Sequence, residues 1–286
     1  MARTLLRRAM PSATAVELHD RFGDAAPVLS DVHASLAATV LTRRTHRRYT
    51  DRPVPQPLID TLCCAALSAS SKSDYQQASI LQMFDAATRA TLAKPFPGMP
   101  WIGLAPVFLV FLGDTRRLQR LGDLRGHAAS NQGLESFFNA TVDAALALQT
   151  FTLCAEDAGL GVCPISVLRN SAPLVAEALQ LPPGVFPVAG LCVGWPADAG
   201  HASMRLPPTL TVHRDRYDDA ALLSTIGAYD TEREARNPTP PAKQRAPDRF
   251  GTVPQYGWSE DKARQSAQGE GAAFPPWLRQ QGFTFD

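Results

Sequence analysis

Arg43, Arg44, Thr45, His46 and Arg47 stand side by side, a density of cations found nowhere else in the chain. Arginine presents a planar fork of donors that matches phosphate oxygens, and a threonine hydroxyl beside it adds one more donor. The same run also fits a solvated basic face at the negative end of the helix before it. A second polar tract, Ser68-Ala-Ser-Ser-Lys-Ser-Asp74, is followed by Gln76; it can serve a ligand or form an ordinary loop. Arg205, between Met204 and Leu206-Pro-Pro, reads in isolation as a surface residue.

Several common catalytic machines are absent. The chain has no G-x-S-x-G elbow, no H-E-x-x-H helix and no G-x-x-x-x-G-K-[ST] loop. Gly159-Leu-Gly161 lacks the third glycine of a dinucleotide turn and follows a helical pattern where that turn needs a strand. No metal-ligand spacing stands out. The 5 cysteines form no C-x-x-C pair, so neither a disulfide scaffold nor a dithiol motif is indicated. Cys163 and the Cys63-Cys64 pair are expected to pack rather than react. Asn139-Ala-Thr141 matches a glycosylation acceptor but falls inside an apolar helix, which discards it.

The elements that must position these residues can be read from apolar spacing. Ser30 can cap a helix carrying Val32, Leu36 and Val40, which runs into the cationic cluster. Asp51-Arg-Pro-Val-Pro-Gln-Pro57 is a turn, because its prolines cannot continue a helix. Leu58, Ile59, Leu62, Ala66 and Leu67 mark an amphipathic helix that ends in the serine tract. Ser79–Phe84 and Val107–Leu112 read as strands, the second almost wholly apolar and therefore central, and Phe186–Val193 reads as another buried strand. Leu134–Ala158 is a long helix with apolar residues on more than one face, as in a subunit interface or the middle of a single-chain core. Gly161–Leu168 is expected to be a loop and Thr209–Val212 a short strand. Asp218–Arg236 is helical, 237–257 is a proline-rich excursion, and two short helices end the chain. Strands and helices do not alternate strictly, so the fold class is α+β.

With 286 residues, 45% of them hydrophobic, the chain is long enough to bury roughly 75% of its unfolded surface. A formal net charge of +1 gives no nucleic-acid footprint. No apolar run approaches the roughly 20 residues of a membrane span. Arg3, Arg7 and Arg8 precede only a short stretch broken by Pro11 and closed by Glu17, so 1–30 is expected to be a loosely ordered extension of a cytoplasmic protein.

Taken in order, the segments resemble the FMN-dependent nitroreductase family, in its branch of NADPH-preferring bacterial nitroreductases and flavin reductases. The resemblance is carried by Arg-Arg-Thr-x-Arg-x-Tyr-Thr around residue 45, Pro-x-Pro-x-x-Leu-Ile, the serine tract, Ala105-Pro-Val-Phe-Leu-Val-Phe, Ala158-Gly-Leu-Gly161 through Leu168-Arg-Asn170, Leu191-Cys-Val-Gly-Trp-Pro-Ala197 and Arg205-Leu-Pro207. It covers residues 31–286, the C-terminal excursion 237–286 included.

The resemblance implies a mostly antiparallel sheet flanked by helices, in a homodimer that binds FMN at its interface. It places Arg43, Arg44 and Thr45 at the phosphate and Arg47 at the flavin pyrimidine edge, where a cation stabilises the charge gained on reduction. Ser70, Ser71, Ser73 and Gln76 would touch the flavin from the partner subunit. The Pro164, Ile165 and Ser166 backbone would lie along the ring, and Arg205 would be a second phosphate ligand. Arg245 and Arg249 would meet the NADPH 2′-phosphate. No metal is implied. The chain departs from the pattern at Met99, where relatives carry a glutamine, at Ser166-Val167 in place of a glycine pair, and at Ser203 in place of a lysine. The implied activity is NAD(P)H-dependent, ping-pong reduction of nitroaromatic, quinone or flavin acceptors. A same-fold dehydrogenase or reductive dehalogenase, and a non-catalytic flavin-binding protein, are the alternatives.

Overall fold

The computed structural model describes residues 35–128 and 133–285. Helix α1 (Ser35–Thr42) carries the Leu36 and Val40 spacing; its expected start at Ser30 and the extension 1–30 lie outside the described residues. Helix α2 (Gln56–Leu67) opens behind Pro55 with Pro57 in its first turn, where a missing N–H leaves no bond unmade. Strand β1 (Ala78–Gln82) follows the serine tract. Next come α3 (Ala86–Ala93), capped by the Asp85 carboxylate accepting from Thr88 N at 2.7 Å, and the single-turn α4 (Trp101–Leu104). Then follow β2 (Val107–Asp114), α5 (Arg116–Arg125), the 24-residue α6 (Leu134–Asp157), β3 (Gly161–Ile165), α7 (Ala172–Ala178) and β4 (Val185–Gly194). The remainder supplies α8 (Leu222–Arg236), α9 (Pro247–Phe250), α10 (Trp258–Ser266) and α11 (Phe274–Gln280).

The four strands form one sheet in the order β1-β2-β4-β3, and every neighbouring pair is antiparallel, as the α+β reading requires. β2 and β4 are central and nearly fully buried, which explains their unbroken apolar sequence. Alternate side chains divide between two cores. Leu109, Phe111, Leu191 and Val193 meet Ile59, Leu62 and Phe151 of α2 and α6, whereas Phe108, Val110, Leu112 and Cys192 meet Leu92, Ile102, Leu168 and Val175 on the other face.

Two expectations fail. The segment after Gly161 is not a loop but edge strand β3, followed by a 3-10 turn over Val167–Ser171. Pro164 disguised it: a proline has no N–H for the ladder and is confined to sheet edges, strand starts and bulges, and here it stands exposed on the edge strand. Thr209–Val212 is not a strand. The prolines at 207 and 208 set a 3-10 turn over Pro208–Leu210 instead.

The chain divides into two compact units, one of Met1–Arg43 with Ala202–Glu270, the other of Arg44–His201 with Gly271–Asp286. The sheet belongs to the second. Its helix α6 buries Ala140, Ala144, Ala147, Phe151 and Ala155, and the Phe151 ring meets Phe111 edge-on at 6.0 Å. At steps of four residues the same helix exposes Leu134, Phe138, Val142 and Leu146, a continuous apolar stripe. In the first unit α8 and α10 are locked by an edge-on Tyr229–Trp258 contact at 5.7 Å and by Asp230, which accepts from Ser259 N at 3.0 Å.

Candidate active site

The serine tract is held by a residue that sequence reading overlooked. Asp143, 3% exposed on α6, accepts from Ser71 Oγ at 2.8 Å, Lys72 N at 2.9 Å and Gln77 N at 3.1 Å. Ser71 Oγ in turn accepts from Gln76 N at 2.7 Å. From behind, the Arg117 guanidinium donates to Gln76 O and reaches Ser79 Oγ at 2.9 Å and Asp114 Oδ2 at 3.2 Å. These bonds fix a costly backbone: Ser73, Asp74 and Gln76 have φ of 48°, 56° and 52°, the left-handed region that non-glycine residues avoid. Strain of this kind persists only where the surroundings over-determine it, and it gathers at ligand clamps. The tract borders a cavity of about 560 Å³ lined by Ser68, Ser70, Ser71, Gln76, Arg117 and Asp143 among others. Ser73 is not in its lining. A signal for Asp143 was present: it is the lone charge in the apolar stretch from Ser136 to Ala155.

The cationic segment sits at the opposite edge of the sheet. Thr45 bridges Val162 of β3 and also His201, and His46 N donates to Val162 O at 3.0 Å. This close approach requires glycine on both sides. A Cβ on Gly161 would stand 2.8 Å from His46 Cβ, and one on Gly200, whose φ is +64°, would stand 2.9 Å from His46 Cε1. His46 is thus wedged between two glycines, which is what Gly159-Leu-Gly161 provides here in place of a phosphate turn. Asp198 braces the segment, accepting from Gly200 N at 2.9 Å and pairing with Arg48 Nη2 at 2.7 Å. The Gly200 bond, with help from Arg48, holds its carboxyl below the usual carboxylate range. Arg47 is exposed, with its guanidinium 5.3 Å from the Trp101 ring centroid. Tyr49 OH donates to His46 O at 2.7 Å, and burial pushes the phenol far above its ordinary value, so it stays protonated.

The structure therefore joins Arg44, Thr45 and Arg47 to β3, which carries Pro164 and Ile165 and is followed directly by Ser166. Pro164 and Ser166 face outward and Ile165 is buried, which leaves only its backbone available to a ligand. Met99 and Val167 both lean on the apolar cluster beneath that face. Within one chain this group is not joined to Ser70, Ser71 and Gln76: three strand spacings, about 14 Å, separate the two sheet edges.

The first unit holds Arg43, directly after α1, and the remaining predicted cations. Arg205 lines a cavity of about 570 Å³ together with Ser203, Arg233 and Lys262. Arg245 and Arg249 do not line it. Arg245 pairs with Asp261 at 3.3 Å, and Arg249 donates to Ala267 O at 3.1 Å while lying over the Phe250 ring. The excursion that carries them is organised by Arg264, 3% exposed, which donates to Glu260 at 2.6 Å and to Gly251 O at 2.7 Å. Its i, i+4 spacing from Glu260 was the available signal.

Cys63, Cys163 and Cys192 are buried as expected, but Cys64 does not pack with its neighbour: one step along α2 turns it to the exposed face of the helix. Cys163 and Cys192 face each other across β3 and β4, both buried, and burial raises the Cys192 thiol well above its usual value. Burial likewise pushes Cys63 up to about 11. Among the described residues no group of His, Cys, Asp or Glu could hold a metal ion, and no helix is long and apolar enough to cross a membrane.

Residues 40–195 match the model of the nitroreductase family, and residues 203–286 match that family's C-terminal domain. The chain belongs to the nitroreductase family. It is 38% identical to a Bacillus subtilis (strain 168) protein named FMN reductase (NAD(P)H), over 66% of this chain and 77% of that one. Its identity to a Salmonella typhimurium (strain LT2) oxygen-insensitive NADPH nitroreductase is 37%, over 61% and 71% of the two chains. Among solved nitroreductase-like structures, the hypothetical oxidoreductase YcnD from Bacillus subtilis superposes with a TM-score of 0.79 at 32% identity, covering 88% of this chain and 99% of that one. The NADPH:FMN oxidoreductase from Vibrio harveyi, complexed with NAD+, superposes at 0.76 with 28% identity, covering 87% and 99%.

Proposed function

We propose that this nitroreductase-family chain is an FMN-dependent NAD(P)H oxidoreductase that reduces nitroaromatic, quinone or flavin acceptors, working as a homodimer with two shared flavin sites. The observation that carries the reading is the separation of two complementary half-sites. Cations and a hydroxyl lie along one edge of the sheet, and a rigid, serine-lined cavity lies at the other. A second copy can bring one edge of each chain to the opposite edge of its partner. The stripe Leu134, Phe138, Val142 and Leu146 supplies the apolar surface that such an association would bury.

The donor set suits FMN. Arg44 and the Thr45 hydroxyl offer charge-assisted and neutral donors for a phosphate, and Arg47 is left exposed for the electron-rich pyrimidine edge. The cavity at the serine tract, about 560 Å³, lies within the roughly 300–1,000 Å³ of small-molecule sites. Bound FMN would supply hydride acceptance from NAD(P)H and onward transfer to the acceptor, one substrate leaving before the next enters. The chain's own part is to bind and orient. Asp143 fixes the serine wall, Gly161 and Gly200 let residues 44–46 lie flat on β3, and Arg47 favours added negative charge nearby. Among the described residues no side chain is arranged as a dedicated acid or base, and an open site draws its protons from water. The relatives' names favour this reading over a dehydrogenase, a dehalogenase or a non-catalytic flavin binder.

The test is an absorbance spectrum of the purified protein, followed by anaerobic NADPH and then NADH. Flavin bands that bleach on nucleotide addition and return with a nitroarene or quinone are expected. Protein that stays colourless after loading with excess FMN and desalting would remove the cofactor and the activity together.

A further inference from the structure

Helix α5 buries none of its residues, although Leu118, Leu121 and Leu124 recur along it. Leu121 is 48% exposed and Leu124 73%, so neither is spent on the core. Arg117, Arg120, Leu121 and Leu124 follow the i, i+3, i+4, i+7 spacing of one helix face, and Arg116 stands four residues before Arg120. Together with Asp114, these residues line a groove of about 470 Å³, within the roughly 300–1,000 Å³ of small-molecule sites.

The charge of this groove is not balanced. Asp114, the carboxylate in its lining, is already occupied: it accepts from Ser79 Oγ at 2.9 Å, Arg117 N at 3.1 Å and Arg117 Nη2 at 3.2 Å. Arg117 is committed in turn, to Asp114 and to Gln76 O of the serine wall. Arg116 and Arg120 are different. Neither makes an ion pair among the described residues, and Asp123, the acidic residue of α5, is not in the lining. Arg117 lines the serine-wall cavity as well, so one guanidinium borders both.

We infer that the α5 groove is a seat for acid-bearing aromatic acceptors, with Arg116 and Arg120 taking the carboxylate and Leu121 and Leu124 the ring. Two uncancelled guanidiniums match a carboxylate, and the two exposed leucines beside them match an apolar body. A metal cation is repelled by this surface, and an inorganic anion leaves the leucines uncovered. The inference deepens the oxidoreductase reading and rests on it for the fate of the occupant. The binding itself is a property of α5.

The experiment compares wild-type holoprotein with the double variants Arg116→Gln/Arg120→Gln and Arg116→Lys/Arg120→Lys and with Leu124→Ser. Binding of 2-naphthoate and of the neutral 2-naphthamide is measured by equilibrium dialysis at low salt. The glutamine pair is expected to weaken naphthoate about tenfold, the sum of two exposed ion pairs, and to leave naphthamide unchanged. The lysine pair keeps most of the affinity, and Leu124→Ser weakens both probes about threefold. In turnover, kcat/KM for 4-nitrobenzoate relative to 4-nitrobenzamide should fall about tenfold in the glutamine pair at unchanged flavin content. Added salt should erode that ratio in wild type but not in the variant.

Naphthoate and naphthamide binding alike to wild type, or naphthoate binding unaltered in the glutamine pair, would overturn the seat. Charge-dependent binding with an unchanged acceptor ratio would overturn its role in acceptor choice. Protein that holds no flavin and oxidises no NAD(P)H would sink the oxidoreductase reading, while the naphthoate comparison would still decide whether α5 binds an aromatic acid.

Discussion

The two edges of the sheet solve the problem of presenting polar groups in opposite ways. At the β1 edge the serine wall is prebuilt. A buried carboxylate satisfies three donors, an arginine clamps the loop from behind, and three non-glycine residues are held at positive φ. At the β3 edge the backbone is fixed by isolated bridges and two glycines, Arg48 is tied to Asp198, and Arg47 is left exposed. The first arrangement gives shape, and the second gives charge that can follow a ligand. A flavin needs both, a flat polar edge met by fixed groups and a charged tail met by long cations. The contrast makes the β1 edge the more fragile under mutation and the β3 edge the more electrostatic.

The largest effect should come from Asp143→Ala. Removing the carboxylate strands Ser71 Oγ, Lys72 N and Gln77 N, so urea unfolding should show a loss of about 3–5 kcal/mol together with loss of bound flavin. An unchanged midpoint would mean that the serine wall does not depend on its staple. Gly161→Ala comes next. The new methyl would meet His46 at 2.8 Å, and neither backbone can yield without breaking the Thr45 bridges, so a cost of about 1–3 kcal/mol and weaker FMN binding are expected. Full stability with full flavin occupancy would show that the close approach is dispensable.

Arg47→Ala is expected to leave stability alone and lower the two-electron flavin potential by about 30 mV, equivalent to roughly 1.4 kcal/mol. A potential equal to wild type would remove Arg47 from the electrostatics of the site. The smallest effect is a pH dependence at Asp198. Its carboxyl is held low by the Gly200 N–H and Arg48, so it stabilises the fold above its unfolded value of about 3.9, and that contribution disappears as pH falls through the lower folded value. NMR titration should therefore find Asp198 ionised and the Thr45 bridges intact at pH 5. A midpoint at or above 4 would contradict the brace.

The parts of this architecture legible in the sequence are those with strong periodicity or an ordered set of motifs. The apolar runs of β2 and β4 and the helix α6 stand close to where their residues placed them, because burial on two faces leaves an unbroken apolar signature. Strand β3 was hidden because edge strands are short and tolerate Pro164, and a five-residue segment bounded by glycine looks like a loop. The prolines at 207 and 208 disguised a 3-10 turn in the same way. At the site, the cations were visible as types but their partners were not. Arg245 gave no sign that Asp261 would claim it, since the two are 16 positions apart. Asp143 was readable as the one charge between Ser136 and Ala155 of α6, yet its role depends on the serine tract 72 positions earlier in the chain. Long-range satisfaction of buried polar groups is set by the fold, not by local pattern.

The central claim is that a serine wall from one chain and a cationic edge from another complete each flavin site, and mixed dimers test it directly. Ser70→Trp fills the wall's cavity and Arg44→Glu reverses charge at the β3 edge, so each variant alone should purify without flavin. Co-expressed with different tags and isolated as the heterodimer, the two defects fall together in one site and leave the other with both halves intact. The account predicts recovery of half the wild-type flavin and half its NAD(P)H oxidation per chain. A folded heterodimer with no flavin would mean that both halves come from the same chain, and the shared site would be wrong.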